Sequence, residues 1–105
     1  MPAADLEIHP DALLEADVGV AWYLERSRGA AEHFFAEIER AIELVLEAPD
    51  RWPLYLHGTS RYVLYKFPYS VVYRVSGDLV RIYAIAHAKR RPGYWKSRLT
   101  WREPP

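Results

Sequence analysis

Phe67-Pro-Tyr-Ser-Val-Val-Tyr-Arg-Val-Ser-Gly-Asp-Leu-Val-Arg-Ile-Tyr-Ala-Ile-Ala-His-Ala-Lys-Arg-Arg-Pro-Gly-Tyr-Trp95 is the stretch on which the fold turns. Residues 69–75 alternate with the period of two that a strand imposes. Tyr69, Val71, Tyr73 and Val75 fall on one face, and Ser70, Val72 and Arg74 on the other. Ser76-Gly77-Asp78 supplies a turn, and residues 79–87 alternate again. There Val80, Ile82, Ala84 and Ala86 form an apolar face, opposite a mixed face of Leu79, Arg81, Tyr83, Ile85 and His87. The segment reads as a β-hairpin that carries a histidine and a basic, aromatic tail to one edge of a sheet.

Upstream, Arg61-Tyr-Val-Leu-Tyr-Lys66 reads as a third strand, cut from the hairpin by Phe67-Pro68. A turn-rich connection, Ala48 to Ser60, precedes it. At the N-terminus Leu6-Glu7-Ile8-His9 is a short alternating run. Pro10 then suits a first helical position, where its missing N–H costs nothing, and Asp11 and Glu15 favour the positive end of a helix dipole. Leu14, Val18, Ala21, Trp22 and Leu24 lie near helical spacing, and Gly19 within the run weakens it by roughly 1 kcal/mol relative to alanine. After the break at Ser27-Arg28-Gly29, a second helical stripe of Phe34, Ile38, Ala41, Ile42 and Val45 stops before Pro49.

The expected architecture is α+β in one domain, residues 1–105. A strand at about 5–9, helices at about 10–27 and 30–48, and strands at about 61–66, 69–76 and 79–87 precede a basic aromatic tail, 88–105. The three C-terminal strands form an antiparallel meander with the helical hairpin on one face. The apolar face of residues 80–86 is expected to meet the helices, which leaves Ser70, Arg74, Arg81, Tyr83 and His87 to water or a ligand.

At 105 residues, 50% hydrophobic and 14% aromatic, the chain can bury one modest core. With no cysteine it has no disulfide, thiolate chemistry or cysteine-based zinc site, and His9, His33 and His57 lack metal-ligand spacing, so neither metal nor cofactor is expected. No apolar run approaches the roughly 20 residues that cross a bilayer, and Asp5 and Glu7 stand where a signal peptide would be basic. A cytoplasmic protein with no membrane partner is the expectation.

The zero net charge averages two opposed halves. Residues 1–50 hold 12 Asp/Glu against 3 Lys/Arg, and residues 51–105 hold 2 against 11, giving −9 and +9. Such poles either steer an anionic partner toward the C-terminal half or neutralise one another across the fold.

Four pieces in order, Ala30-Ala31-Glu32-His33-Phe34-Phe35, Ala48-Pro49-Asp50-Arg51-Trp52-Pro53, Phe67-Pro68-Tyr69 through Tyr73-Arg74-Val75, and Ala86-His87 through Arg90-Arg91-Pro92-Gly93-Tyr94-Trp95, span nearly the whole chain. Together they resemble the RelE/ParE superfamily of toxins from bacterial type II toxin–antitoxin modules. The resemblance implies a small curved antiparallel sheet with an N-terminal strand and a helical hairpin. It also implies a growth-arresting, plasmid-stabilising toxin held in check by a cognate antitoxin, within a larger complex of the two. RelE-like members are ribosome-dependent mRNA endoribonucleases; ParE-like members poison DNA gyrase and are not hydrolases.

Metal-free RNA cleavage needs a proton acceptor for a 2′-hydroxyl and cations around the pentacoordinate phosphate. Histidine, with a pKa near 6.5, and arginine suit these tasks, so His87, Arg90, Arg81 and Arg74 are the catalytic candidates if the chain is a ribonuclease. Against that reading, RelE nucleases carry an arginine where this chain has Ser70, and lysines where it has Tyr62-Val63-Leu64-Tyr65. His87-x-x-Arg90 looks more ParE-like. Lys89, Arg90 and Arg91 beside Tyr94 and Trp95 are the candidate surface for target or antitoxin, arginine and aromatic side chains being enriched at binding hot spots. A ParE-like toxin is the first reading, an mRNA endoribonuclease the second, and a toxin relic acting as a binding module the third.

Overall fold

The computed structural model describes residues 1–103. The last two residues of the tail, Pro104 and Pro105, lie outside the described residues. In chain order the elements are β1 (Asp5–Ile8), α1 (Pro10–Leu24), α2 (Arg28–Glu47), β2 (Ser60–Val63), β3 (Tyr69–Ser76) and β4 (Leu79–His87). Short 3₁₀ turns cover Pro49–Arg51, Leu56–Gly58 and Lys96–Thr100.

Local chemistry sets the helix boundaries. His9 caps α1, its Nδ1 accepting the Asp11 N–H at 3.0 Å, and Pro10 follows as the first helical residue. Ser27 opens α2 by accepting the Ala30 N–H at 3.2 Å. In the hairpin turn, Gly77 adopts φ +60 at the first of two loop positions, a conformation that costs glycine nothing.

The four strands form one sheet in the order β1-β4-β3-β2. The meander is antiparallel as the alternation predicts, whereas β1 joins the far edge parallel to β4, pairing Leu6 with Val80 and Ile8 with Ile82. The sheet is therefore mixed rather than wholly antiparallel. Parallel neighbours need a long crossover, and the helical hairpin supplies it. Leu46, near the end of α2, accepts the Ala3 N–H at 2.8 Å, so the helices return the chain to the end of the sheet where β1 began.

Two buried clusters flank the sheet. On the helix side Phe34, Ile38, Ala41 and Val45 of α2 meet Val71, Tyr73, Val80, Ile82 and Ile85. On the other side Val72, Tyr83 and Ala84 pack against Trp95 and Leu99. The expectation that this second face is left to water or a ligand is thus corrected: the C-terminal segment lies across it, because Trp95 and Leu99 bury more apolar surface there than they could in solvent.

A β-bulge explains a second correction. Val72 pairs with Ala84 but Tyr73 pairs with Ile82, which leaves Tyr83 as an extra residue on β4. Alternation reverses at that point. Val80 and Ile82 face the helices as predicted, but beyond the bulge Ile85 takes that side, while Ala84 and Ala86 turn to the tail side.

The apolar stripe of α1 also faces the opposite way from a core stripe. Leu14, Val18 and Trp22 are 59%, 61% and 49% exposed, and α1 instead buries Ala12 and Gly19, with Ala16, Val20 and Tyr23 partly covered. At Gly19 the helices leave no room for a side chain: a Cβ there would stand 2.7 Å from the Phe34 ring. Small residues face inward because Phe34 and Tyr69 fill the space against them.

Candidate functional site

The outer edge of β4 beyond β1 is where the sequence's separate pieces meet. β1 ends at Ile8, so the N–H and C=O groups of residues 83–87 that point to this edge have no strand beside them among the described residues, and orphaned backbone groups are costly. Side chains replace the missing strand. The Glu15 carboxylate accepts the Ile85 N–H at 3.1 Å, and Arg98 donates to the Tyr83 carbonyl at 3.0 Å. Arg98 also pairs with Glu15 at 2.9 and 3.0 Å, and the Tyr94 hydroxyl donates to the same carboxylate. Burial and the hydrogen bond to Glu15 both push the Tyr94 hydroxyl pKa up, so it stays a donor. Sequence reasoning misses this clasp: on sequence alone Glu15 is only a favourable charge in the first turns of a helix, and Arg98 is one cation of a tail.

Along the same edge the N-terminal acidic half and the C-terminal basic half neutralise one another. Glu7 pairs with Arg81 at 2.7 Å and with Arg102 at 2.8 Å. Hydrogen bonding from Arg81 holds the Glu7 carboxyl below its ordinary range. Trp101 packs against the His9 ring, 5.0 Å between centroids.

His87, at the end of β4, stands between two grooves. One, about 320 Å3, lies on the helix side and is walled by Leu14 and Val18 of α1 and by Tyr69, Ile85 and Arg90. The other, about 290 Å3, opens on the tail side and is lined by Arg61, Ser70, Arg90 and Arg91. His87 lies edge-on to Tyr69 at 4.9 Å, and its Nδ1 accepts the Lys89 N–H at 3.0 Å.

Of the catalytic candidates, His87 and Arg90 share both grooves. Arg74 and Arg81 line neither; Arg74 donates to the His57 carbonyl at 2.7 Å and pairs with Glu103 at 3.5 Å, while Arg81 is held by Glu7. Among the binding candidates, Lys89, Arg90 and Arg91 are exposed. Tyr94 is half-buried between the Arg90 guanidinium, 3.9 Å from its ring, and Glu15. Trp95 is 1% exposed and belongs to the tail-side core, so it does not present a binding surface; Val72, Tyr83 and Leu99 enclose it. Among the described residues no cluster of histidine and acidic side chains is arranged to hold a metal ion, and no helix is long and apolar enough to cross a membrane.

A helical hairpin on one side of a four-stranded mixed sheet matches the architecture of small α+β toxins of the RelE/ParE type, and in this chain a histidine and a basic cluster stand at the open end of β4. Residues 6–92 match the family described as the ParE toxin of the type II toxin–antitoxin system parDE, and the chain belongs to that family. Among solved structures it is similar to the chromosomal ParDE toxin–antitoxin system from P. aeruginosa, with a TM-score of 0.70 and 17% identity over 81% of this chain and 96% of that one. At that identity the likeness is one of fold. No curated protein matches the chain.

Proposed function

We propose that this ParE-family toxin arrests growth by binding an essential target such as DNA gyrase, without cutting RNA, and that a cognate antitoxin neutralises it by covering the helix-side groove. The observation that carries the first half is the separation of the charged groups. A phosphoryl-transfer site needs its acid, base and cations around one reacting atom. Arg74 and Arg81 are instead tied to His57, Glu103 and Glu7, away from the grooves that His87 lines. What remains at His87 and Arg90 is a basic, aromatic contact surface.

The antitoxin reading draws on α1. Leu14, Val18 and Trp22, spaced four residues apart, make a continuous exposed apolar stripe that leads into the groove at Tyr69 and His87. An amphipathic helix laid into such a groove is a recurrent mode of recognition.

A ribosome-dependent mRNA endoribonuclease is the second reading, supported by the meeting of His87 and Arg90 in one groove. Inducible expression of the chain in a bacterial host separates the two. Growth arrest with inhibited supercoiling by purified gyrase, and without new mRNA 5′ ends by primer extension, is the expected result. Codon-phased cuts that vanish in His87→Ala or Arg90→Ala would overturn it.

A further inference from the structure

The outer edge of β2 is satisfied at both ends and open in the middle. At one end Arg61 donates its N–H to the Pro53 carbonyl at 3.0 Å, where Leu54 bridges Ser60. At the other the Glu37 carboxylate accepts the N–H groups of Tyr65 at 2.5 Å and Lys66 at 3.2 Å. Between them stands Val63. Backbone groups alternate in direction along a strand, so Val63 turns its N–H and C=O outward as Arg61 does, while Leu64 turns inward and donates to the Tyr69 carbonyl at 2.9 Å. Among the described residues no segment of chain lies beside Val63 on that edge.

Apolar surface surrounds the gap. Leu54 is 86%, Val63 58% and Tyr65 88% exposed. A cleft of about 280 Å3 opens there, walled by Trp52, Leu54, Arg61 and Val63. Arg61 stacks one face of its guanidinium on Tyr55 at 4.0 Å, which leaves the other face open. Free backbone groups on an exposed apolar edge are a template for another strand.

The edge is complementary to itself. When it pairs antiparallel with its own copy about a two-fold axis at Val63, each Val63 donates its N–H to the other's carbonyl and accepts in return. The same register sets Tyr65 of one copy opposite Arg61 of the other, since the two positions lie two residues either side of the axis. Opposed residues share a face of the sheet, so the Tyr65 ring comes over the cleft that Arg61 helps to wall. Knob and cleft thus lie on one surface at matching distances from the axis, as an isologous contact requires. The cations stay apart. Arg61 and its copy are offset by about 13 Å along the strands at 3.3 Å per residue, beyond the range over which exposed charges act strongly in physiological salt.

We propose that two copies of this chain pair through the β2 edge, joining their sheets at Val63 with each Tyr65 seated in the other's cleft. The patch is small, so the pairing is a reversible one at micromolar concentration and not an obligate dimer. The proposal stands on this edge, across the sheet from β1 and the Glu15 clasp, and holds whatever the toxin's target.

The chain has no cysteine, so Val63→Cys introduces a lone thiol that the axis would set beside its copy. Cα atoms of a hydrogen-bonded antiparallel pair lie about 5.5 Å apart, within disulfide reach. Under mild oxidation the purified Val63→Cys variant should cross-link about tenfold or more faster than Ser76→Cys, an exposed thiol at the hairpin turn. Analytical ultracentrifugation of the cysteine-free chain should show a mass that rises from one copy towards two through the micromolar range. Tyr65→Asp and Val63→Lys, at exposed positions, should weaken that association about tenfold or more with little change in melting temperature. A single-chain mass at every concentration would overturn the proposal. So would equal cross-linking of the two cysteine variants, or a dimer lost in Val18→Asp but kept in the edge variants, which would move the contact to α1.

Discussion

Glu15 and Arg98, 83 residues apart in sequence, form a two-point ion pair of 2.9 and 3.0 Å that clasps α1, β4 and the C-terminal segment together. Both side chains are mostly buried, at 15% and 13% exposure, and both also hydrogen-bond the β4 backbone. Removing one partner of such a pair leaves the other charge without compensation. Glu15→Ala should destabilise the fold by roughly 3 kcal/mol, the low end for a pair that keeps some exposure. Urea denaturation would read this as a lower midpoint, and a double-mutant cycle with Arg98→Ala should show that the two losses do not add. Additive losses would mean that the clasp is not a unit.

Gly19→Ala sets helix propensity against packing. Alanine gains roughly 1 kcal/mol in a helix. At this position its methyl would stand 2.7 Å from Phe34 and 3.2 Å from the Tyr69 hydroxyl, forcing α1 away from α2. Overpacking costs about 1–3 kcal/mol, so the expected net effect is a lower melting temperature by calorimetry. A higher one would show that the helices separate freely.

Stability should fall in strong base. Burial pushes the Tyr73 hydroxyl from 10.0 up to about 12, and Tyr94 moves in the same direction. Below pH 10 both states carry the proton and the contribution is complete; between pH 10 and 12 only the unfolded chain ionises, and the contribution is lost as pH rises. Each such tyrosine adds a slope of about 1.4 kcal/mol per pH unit. Tyr73→Phe should flatten the stability profile in that window. Glu7 acts at the acid end, its contribution present above pH 4.5 and lost as pH falls through its lowered pKa.

Val18→Asp and Leu14→Asp should separate folding from partner binding. Both positions are more than half exposed, so melting temperatures should change little. If the antitoxin's helix lies on this stripe, co-purification with the product of the neighbouring antitoxin gene should fail, with affinity down a hundredfold or more. Retained complex formation would move the antitoxin elsewhere.

The hairpin of β3 and β4 is legible in the sequence because two runs of period-two alternation, with Gly77 between them, do not fit a helical face. The bulge is not legible. Ile82, Tyr83, Ala84 and Ile85 are all apolar and all buried, so nothing in residue type marks where the parity changes. The orientation of α1 is hidden for a similar reason: one side carries Leu14, Val18 and Trp22, the other Ala12, Ala16 and Gly19, and hydropathy favours the wrong one. Only the volume left beside Phe34 selects the small side. Of the site, the His87 and Arg90–Arg91 end is readable as a local cluster. Glu15, Arg61 and Arg98 come from distant segments and acquire meaning only when the sheet is closed. Trp95 misleads because an aromatic next to lysine and arginine reads as surface, while here it plugs the core beneath them.

The bulge at Tyr83 sets the phase of the rest of β4. Were the strand to run straight with Tyr83 in line, Ala84 and Ala86 would pass to the helices and Ile85 and His87 would go through to the tail side. The histidine would then leave the groove where it meets Tyr69, and Glu15 would lose the backbone group it caps. Deleting Tyr83 has no such effect, since Ala84 would still pair with Val72 and Ile82 with Tyr73 in unbroken alternation. In this fold, then, which surface of the protein carries the histidine is decided by one kink in a strand and not by the residue types along it.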